Sequence, residues 1–483
     1  MAQIAWNPPE SLAGIFLTVL AGLAAWTLAS GADDLYLFVA WALHGGRLRR
    51  AFPPPPAQVE EKAIAILIPL WKEHRVIRRM VEHNVSAVRY ANYQIFLGVY
   101  PNDPETLEAA SCLEEQFSNV HVALCPHEGP TSKADCLNWA FQRLLLFEET
   151  TSWKAEAVVV HDAEDVIHAE SLRWISSQMD RFDMVQIPVL PLPTPWWDLV
   201  HGVYCDEFAE YQTKDVPARM LLGGFIPSNG VGTGYRRETL ERLAQMEGNR
   251  IFDPECLTED YEIGCRVHQL GFRQVFVPPG HCRGSIVATR EYFPRTWRAA
   301  IQQRTRWITG IVFQGWERHG WRGNWRDAYF WWRDRKGLLG NPLSCLSYLL
   351  LFAAPALLRS GLLPPFPGWS APLLSILLLF QALSLAARMA ASARIYGWRF
   401  AAAVPFRVPV ANVINSIAAL RAFGHYVAAR WAGRPLLWLK TEHRYPSRAA
   451  LAAVGGVTLS SGAIAGHESR SNAQLRRARG AAV

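Results

Sequence analysis

Two stretches of the sequence carry long runs without a charged residue, and they lie towards opposite ends of the chain. Residues 11–32 form an uncharged run of 22, and residues 337–358 and 360–387 form runs of 22 and 28. A helix needs about 20 apolar residues to cross the hydrocarbon core of a bilayer. The sequence therefore predicts one membrane span near the N-terminus and a helical hairpin in the last third, with a soluble middle between them.

Arginines lie at the C-terminal end of the first run and at the returning end of the predicted hairpin. Arg47, Arg49 and Arg50 come after the first run, and Arg388 and Arg394 come where the predicted hairpin returns. Because basic residues flank membrane spans on the cytoplasmic side, we expect the middle of the chain to be cytoplasmic and the N-terminus to lie outside. The missing basic residues before the first run favour a retained helix over a cleaved signal peptide.

Three shorter segments are expected to lie at the membrane surface. Residues 35–43 are apolar. Residues 408–420 are uncharged but too few to cross the bilayer core as a helix. We therefore favour three spans, with four as the alternative. Residues 317–336 interleave four tryptophans with basic side chains, and Trp316 directly precedes them. This pattern occurs at nucleic-acid surfaces, but directly before a span it favours an aromatic and basic belt at the membrane interface, with no nucleic-acid partner.

Composition agrees with a membrane-associated protein rather than a disordered or fibrous chain. Hydrophobic residues make up 50% and charged residues 19% of the 483 residues, against about 25% charged in a typical soluble protein. The net charge is +7, which suits an anionic membrane surface. The eight cysteines have no zinc-site spacing, so we expect reduced thiols and no disulfide.

The soluble middle alternates apolar runs with helical periodicity. Strands are predicted over residues 63–70, 94–100, 120–124, 155–161 and 184–190, and helices over 73–90 and 134–147. Strands alternating with helices indicate an α/β domain with a mostly parallel sheet. Because ligands bind such sheets beyond the carboxyl ends of the strands, the motifs at those ends are the candidates for function.

Three motifs carry candidate chemistry. His161-Asp162-Ala163-Glu164-Asp165 follows a strand, and Asp162 and Glu164 could present oxygens to one divalent cation; a solvated acidic turn is the alternative. In the motif TEDY at 258–261, Asp260 could be a general base, or the acids could simply cap a helix. In QRTRW at 303–307, the arginine suits a diphosphate and the tryptophan suits a sugar face; a basic helix near the membrane is the alternative.

The order and spacing of these motifs resemble the membrane-integrated, processive enzymes of glycosyltransferase family 2, the relatives of cellulose and hyaluronan synthases. The likeness is strongest to the bacteriophage adsorption inner-membrane protein B group, and it covers nearly all of residues 60–446. The stretches that carry it include PLWKE, YPNDPET, GPTSKADCLN, HDAEDVIHAESL, TEDYEIGCR, QRTRWITGIVFQG and KTEHRYP. Lys72 stands where the family's opening loop usually has Asn.

The resemblance implies a GT-A catalytic domain with a Rossmann-like, mostly parallel sheet, and it implies roles for particular residues. Asp260 would be the catalytic base, with Glu259 beside it. Nucleotide-sugar contacts would come from Glu73, Asp103, Lys133, Asp162 and Arg306. Acceptor contacts would come from Gln303 and Trp307, and a mobile gating loop from Lys440 and Thr441. A Mg²⁺ or Mn²⁺ ion would be held by Asp162 together with Glu164 or Asp165.

We thus expect an inverting, metal-dependent transferase that moves a sugar from a nucleotide-diphosphate donor, a UDP-sugar, to a polysaccharide or lipid-linked acceptor at a bacterial inner membrane. The expected division is a transmembrane helix and interfacial segment (1–50), a cytoplasmic GT-A domain (51–336), a transmembrane hairpin with an interfacial helix (337–430) and a juxtamembrane loop with a basic tail (431–483). Membrane lipids and an outer-membrane export protein are the expected partners. The alternatives are a transferase adding one sugar to a lipid phosphate, and a degenerate component of an export or phage-adsorption complex.

Overall fold

The computed structural model describes residues 8–55, 60–282, 285–361, 368, 370–434, 436, 445–447 and 450–451. The predicted gating-loop residues Lys440 and Thr441, and most of the predicted basic tail, lie outside the described residues. All eight cysteines are described, and all are free thiols.

Strands of the middle region form one main sheet and two small ones. The strands are β1 Ile64–Pro69, β2 Tyr93–Val99, β3 Val120–Leu124, β4 Ala157–Val160, β5 Met184–Gln186, β6 Val189–Pro191, β7 Thr233–Arg236, β8 Gln274–Phe276, β9 His281–Cys282, β10 Ser285–Ile286 and β11 Thr289–Glu291. The main sheet has the order β3-β2-β1-β4-β7-β5-β8. Only β7 runs antiparallel to its neighbours, so the predicted α/β class with a mostly parallel sheet is confirmed.

Burial on both faces explains why the central strands are apolar throughout. Every residue of β4 is buried, as are the first five residues of β1, because helices cover both faces of a parallel sheet. The predicted run 184–190 divides into two short strands at Ile187-Pro188. Pro188 has no N–H to donate, and β6 leaves the main sheet to pair with β11.

Fifteen α-helices are described, together with two π-helical segments at Tyr211–Asp215 and Thr309–Gln314. The helices are α1 Pro8–Ala51, α2 Ile77–Ala87, α3 Pro104–Gln116, α4 Lys133–Thr150, α5 Ser171–Gln178, α6 Leu199–Glu210, α7 Val216–Leu221, α8 Arg237–Met246, α9 Glu259–Gln269, α10 Trp297–Ile308, α11 Gly315–His319, α12 Trp325–Arg359, α13 Ser370–Tyr396, α14 Trp398–Ala401 and α15 Val404–Trp431. Helix α2 begins four residues later than predicted, because residues 73–76 form the turn that enters it.

Three described helices are long and apolar enough to cross a membrane: α1, α12 and α13. They match the predicted span and hairpin. Residues 35–43 do not form a separate element, because α1 continues through Asp33 and Asp34 without a break. Their place at the membrane surface stays a prediction. The Asp33 carboxylate is paired with Arg333 and with Lys336 on α12, so its charge does not have to reach water.

The belt predicted for residues 317–336 is only partly a surface. Trp325 is 70% exposed, but Trp331 is 1% exposed and packs against Phe225. The Arg335 guanidinium lies over the rings of Trp316, Trp321 and Trp331 at 4.9–5.1 Å, a cation–π arrangement that suits arginine. Much of this segment therefore joins α12 to the soluble domain.

Candidate active site

A pocket opens beyond the carboxyl ends of β1 and β4, and it collects most of the residues that the three motifs predicted. Its lining includes Glu73, Lys133, Asp162, Glu164, Glu259, Asp260, Gln303, Arg306 and Trp307. These residues come from positions up to 234 apart in the sequence, namely Glu73 and Trp307. The sheet brings them together because its parallel strands end at one edge.

The carboxylates of the acidic turn after β4, residues 162–165, lie on two different sides of the turn. Asp162 and Glu164 line the pocket. Asp165 is fully buried behind them, with Oδ2 2.7 Å from His161 Nδ1 and accepting the Asp162 N–H at 3.0 Å. Burial lowers the pKa of His161 to about 3 and raises the pKa of Asp165 well above its usual range, so this pair is held neutral. Of the two alternatives for a metal ligand, the pocket contains Glu164.

Lys133 stands at the centre of the pocket's negative charge. It is the first residue of α4, whose N-cap Ser132 accepts the Asp135 N–H. Its Nζ lies 2.6 Å from Asp162 Oδ1 and 3.8 Å from Glu259 Oε1. Burial alone would lower the pKa of Lys133, but the surrounding carboxylates raise it well above its usual value. The ammonium is therefore permanently charged.

Helix α9 begins inside the pocket with two adjacent acids. Burial raises the pKa of Asp260, and it raises the pKa of Glu259 to about 7. Gly230, in the glycine loop formed by residues 228–232, lies against Asp260 with φ +74°, and a Cβ there would come within 2.7 Å of Asp260 Oδ2. A glycine is required both for that conformation and for that approach. A raised pKa makes a carboxylate a stronger proton acceptor.

Helix α10 supplies the opposite wall. Gln303, Arg306 and Trp307 line the pocket, and buried Gln303 Oε1 and Arg306 Nε have no hydrogen-bond partner among the described residues. Because buried polar atoms are normally paired, these two atoms suit contact with a bound ligand. The Trp307 ring packs edge-on against Tyr204 at 6.1 Å, which fixes its orientation.

Two contacts join the start of α9 to the segment that follows α10. Gln314 Oε1 accepts the Leu257 N–H at 2.8 Å, and its Nε2 donates to Glu255 O at 2.9 Å. Gly310 lies against Thr258. Both residues belong to the π-helical segment Thr309–Gln314, and such segments are common near functional sites. Sequence analysis assigned these residues no role, because only folding brings them to residue 258.

Two further predicted contacts, Glu73 and Asp103, meet at the loop after β1, but only one of them lines the pocket. Glu73 lines the pocket. Asp103 does not line it; its Oδ2 accepts the N–H of Lys72 at 2.5 Å, and Lys72 adopts φ +55°. Asp103 therefore holds the loop in a conformation that non-glycine residues rarely adopt. Whether it also contacts a nucleotide base stays a prediction.

Glu291 is a pocket residue that sequence analysis missed. It ends β11 and lines the pocket. Burial, together with the nearby carboxyl groups of Asp165 and Asp162, raises its pKa well above its usual range. The only signal in the sequence was an acid at the end of a two- to three-residue strand, too short to recognise by alternation.

The donor set fits a divalent cation shared with a ligand rather than a closed metal cage. Asp162 and Glu164 offer oxygens, the ligands that Mg²⁺ prefers. Across the described part of the chain, no group of three or more His, Cys, Asp or Glu side chains is arranged to hold a metal ion. A cation here would need further oxygens, and substrate phosphates commonly supply them.

Comparison with known proteins finds a family that matches the soluble domain. Residues 61–310 match the model of the family described as "Glycosyltransferase like family 2". The chain is 36% identical to bacteriophage adsorption protein B of Escherichia coli K12, over 90% of this chain, and equally similar to bacteriophage N4 adsorption protein B of Escherichia coli O157:H7. It spans 64% of the length of these relatives.

A solved structure shares the fold. The mannosyltransferase PcManGT from Pyrobaculum calidifontis, determined in complex with GDP-Man and Mn²⁺, is 17% identical, with a TM-score of 0.50. The match covers 83% of this chain and 99% of that protein. Together with the family match, it supports a GT-A-like fold for the soluble domain.

Proposed function

The chain belongs to glycosyltransferase family 2, and we propose that it is an inverting, metal-dependent transferase that extends a polysaccharide at a bacterial inner membrane. One observation carries the proposal: Asp260 and Glu259 lie in one pocket with Asp162 and Glu164 and with three side chains of the QRTRW motif, Gln303, Arg306 and Trp307. That set pairs a proton acceptor with groups for an anionic donor and a sugar acceptor.

The donor side of the reaction is assigned to charged groups. Loss of the sugar leaves a diphosphate with extra negative charge, and Lys133 and Arg306 offer fixed positive charge to it. A divalent cation bound by Asp162 and Glu164, Mn²⁺ or Mg²⁺, would neutralise that diphosphate and polarise the breaking bond. The relative solved with GDP-Man and Mn²⁺ makes such a cation reasonable for this fold. We expect a UDP-sugar as donor.

The acceptor side is assigned to Asp260. Its carboxylate would take the proton of the acceptor hydroxyl, whose oxygen attacks the anomeric carbon as the bond to the diphosphate breaks. One displacement without a protein nucleophile inverts the anomeric configuration. Trp307 would pack against the acceptor sugar, and Gln303 would accept a hydrogen bond from one of its hydroxyls. Glu259, beside Asp260, would influence the pKa of the Asp260 carboxylate.

The membrane arrangement extends the proposal. We propose the four-part division at residues 50, 336 and 430, with α1, α12 and α13 spanning the membrane, α15 at its cytoplasmic surface and the catalytic domain in the cytoplasm. The relatives are named for phage adsorption, and an outer-membrane export partner for the product would fit a polymer made at the inner membrane. Reporter fusions after Gly361 and after Arg434 should report opposite sides of the membrane.

A matched pair of variants tests the activity. In membranes supplied with labelled UDP- and GDP-sugars, Asp260→Asn should lower transfer about 10²–10⁴-fold while nucleotide binding stays near the wild-type level. Asp180→Asn, at a side chain 74% exposed outside the pocket, should leave transfer unchanged. EDTA should stop the reaction and Mn²⁺ or Mg²⁺ should restore it. Turnover retained by Asp260→Asn would remove Asp260 as the base.

Product length separates polymerisation from the two alternatives. A polymer is expected on an elongating acceptor, whereas a lipid-phosphate transferase would stop at one sugar. A degenerate component would neither transfer nor hydrolyse any donor in isolated membranes. The pocket argues against degeneration, because Asp260, Lys133 and Arg306 are all present and line one cavity.

A further inference from the structure

Acidic side chains outnumber basic ones in the candidate pocket, although its proposed donor is an anion. Two basic side chains line it, Lys133 and Arg306. Six carboxyl side chains line the same cavity: Glu73, Asp162, Glu164, Glu259, Asp260 and Glu291. A nucleoside diphosphate brings further negative charge, and like charges in a desolvated site repel strongly. The donor therefore needs an accompanying cation.

Lys133 already occupies part of the position that such a cation would take. Its Nζ is 2.6 Å from Asp162 Oδ1 and 3.8 Å from Glu259 Oε1, and it donates to Gly230 O at 3.4 Å. Its side chain is only 17% exposed. The ammonium is thus held by groups from three separate parts of the chain, the acidic turn after β4, the glycine loop and the start of α9.

We propose that Lys133 is a built-in counter-ion of the empty pocket, so that a divalent cation binds tightly only together with the nucleoside diphosphate. This inference rests on the proposed function. Without nucleotide, the cation must share the Asp162 carboxylate with an ammonium 2.6 Å away, and the repulsion between the two cations weakens binding.

The nucleotide removes this conflict. Diphosphate oxygens accept hydrogen bonds from an ammonium readily, so the Lys133 Nζ turns from Asp162 towards the diphosphate. The Asp162 carboxylate is then free for the cation. Lys133 in this account is a positioning residue for the cation as well as a contact for the donor.

Mn²⁺ binding measured by electron paramagnetic resonance tests the inference on the full chain in detergent, without any turnover. For the wild type we expect weak binding of Mn²⁺ alone and binding at least about tenfold tighter when UDP or GDP is added. Lys133→Met should bind Mn²⁺ alone about tenfold more tightly than the wild type and should lose most of the gain from nucleotide. Lys133→Arg, which keeps the charge, should behave like the wild type.

Lys154→Met serves as the matched control, because Lys154 is exposed and lies outside the pocket. If Lys133→Met binds Mn²⁺ alone no more tightly than Lys154→Met, the counter-ion role is overturned, although the proposed function can stand. If the wild type binds no Mn²⁺ even with nucleotide, the metal-dependent function itself fails. Thermal melting of each variant checks folding independently of the Mn²⁺ signal.

Discussion

Gly310 packs directly against Thr258, so that a Cβ at position 310 would come within 2.3 Å of the Thr258 hydroxyl oxygen. This contact joins the segment after the QRTRW helix to the residue before Glu259 and Asp260. Together with the Gln314 hydrogen bonds, this contact fixes the two motifs relative to each other, although 43 residues separate Asp260 from Gln303.

Gly310→Ala should displace the start of α9 and lower transfer by at least about tenfold, since misplacement of a reacting group by about 1 Å can cost about 10²-fold. Gly315→Ala is the control in the same stretch, because a Cβ there meets nothing closer than 3.5 Å. Transfer rates and melting temperatures of both variants should be measured together. Equal transfer by the two variants would argue against this coupling.

Two variants can show whether Glu164 or Asp165 binds the metal. Glu164→Gln should abolish the Mn²⁺ binding seen with nucleotide, because Glu164 lines the pocket. Asp165→Asn should largely preserve it, because Asp165 faces His161 behind the turn. We expect Asp165→Asn to act on stability instead, by disturbing a buried hydrogen-bonded pair. Loss of Mn²⁺ binding in Asp165→Asn alone would reverse this assignment.

The pKa of Glu259 predicts how stability depends on pH. Burial raises this pKa from an ordinary 4.5 to about 7, which Lys133 opposes and Asp260 reinforces. Between these values the folded protein holds a proton that the unfolded chain has released, so the stability from this group is present at low pH and is lost as pH rises through 7. Glu259→Gln, which stays neutral, should therefore melt above the wild type at pH 8 and close to it near pH 4.5. Glu255→Gln, at an exposed position, should show no such difference.

The fold was largely predictable because its signals are local. The strand at Val120–Leu124 was predicted to the residue. A buried strand must be apolar on both faces, so the end of the apolar run before Asp162 indicated where the acidic turn begins. The membrane runs were equally local, because a bilayer needs length and apolarity in one segment. For the same reason the sequence located the pocket-lining Asp162, Asp260 and Arg306.

What the sequence left out depends on contacts between distant segments. Glu291 ends a strand that pairs with Val189–Pro191, about 100 residues away, and nothing near residue 291 indicates the pairing. The Asp103 side chain accepts the Lys72 N–H from a residue 31 positions earlier, a contact that no local signal indicates. The continuation of α1 past Asp33 was not evident from the sequence, because the charge that pairs with Asp33 comes from α12, 300 residues later.

The Asp33 contacts also yield the last prediction, on how α1 is attached. The Asp33 side chain is 5% exposed and pairs with Lys336 at 2.7 Å and with Arg333. It also accepts a hydrogen bond from Tyr329 at 2.5 Å. Asp33→Asn should leave two buried cations short of charge and cost about 3–5 kcal/mol, lowering the melting temperature in detergent. Asp34 contacts the same two cations but is 37% exposed, so Asp34→Asn should cost far less. Equal losses in the two variants would mean that burial does not decide how α1 is held.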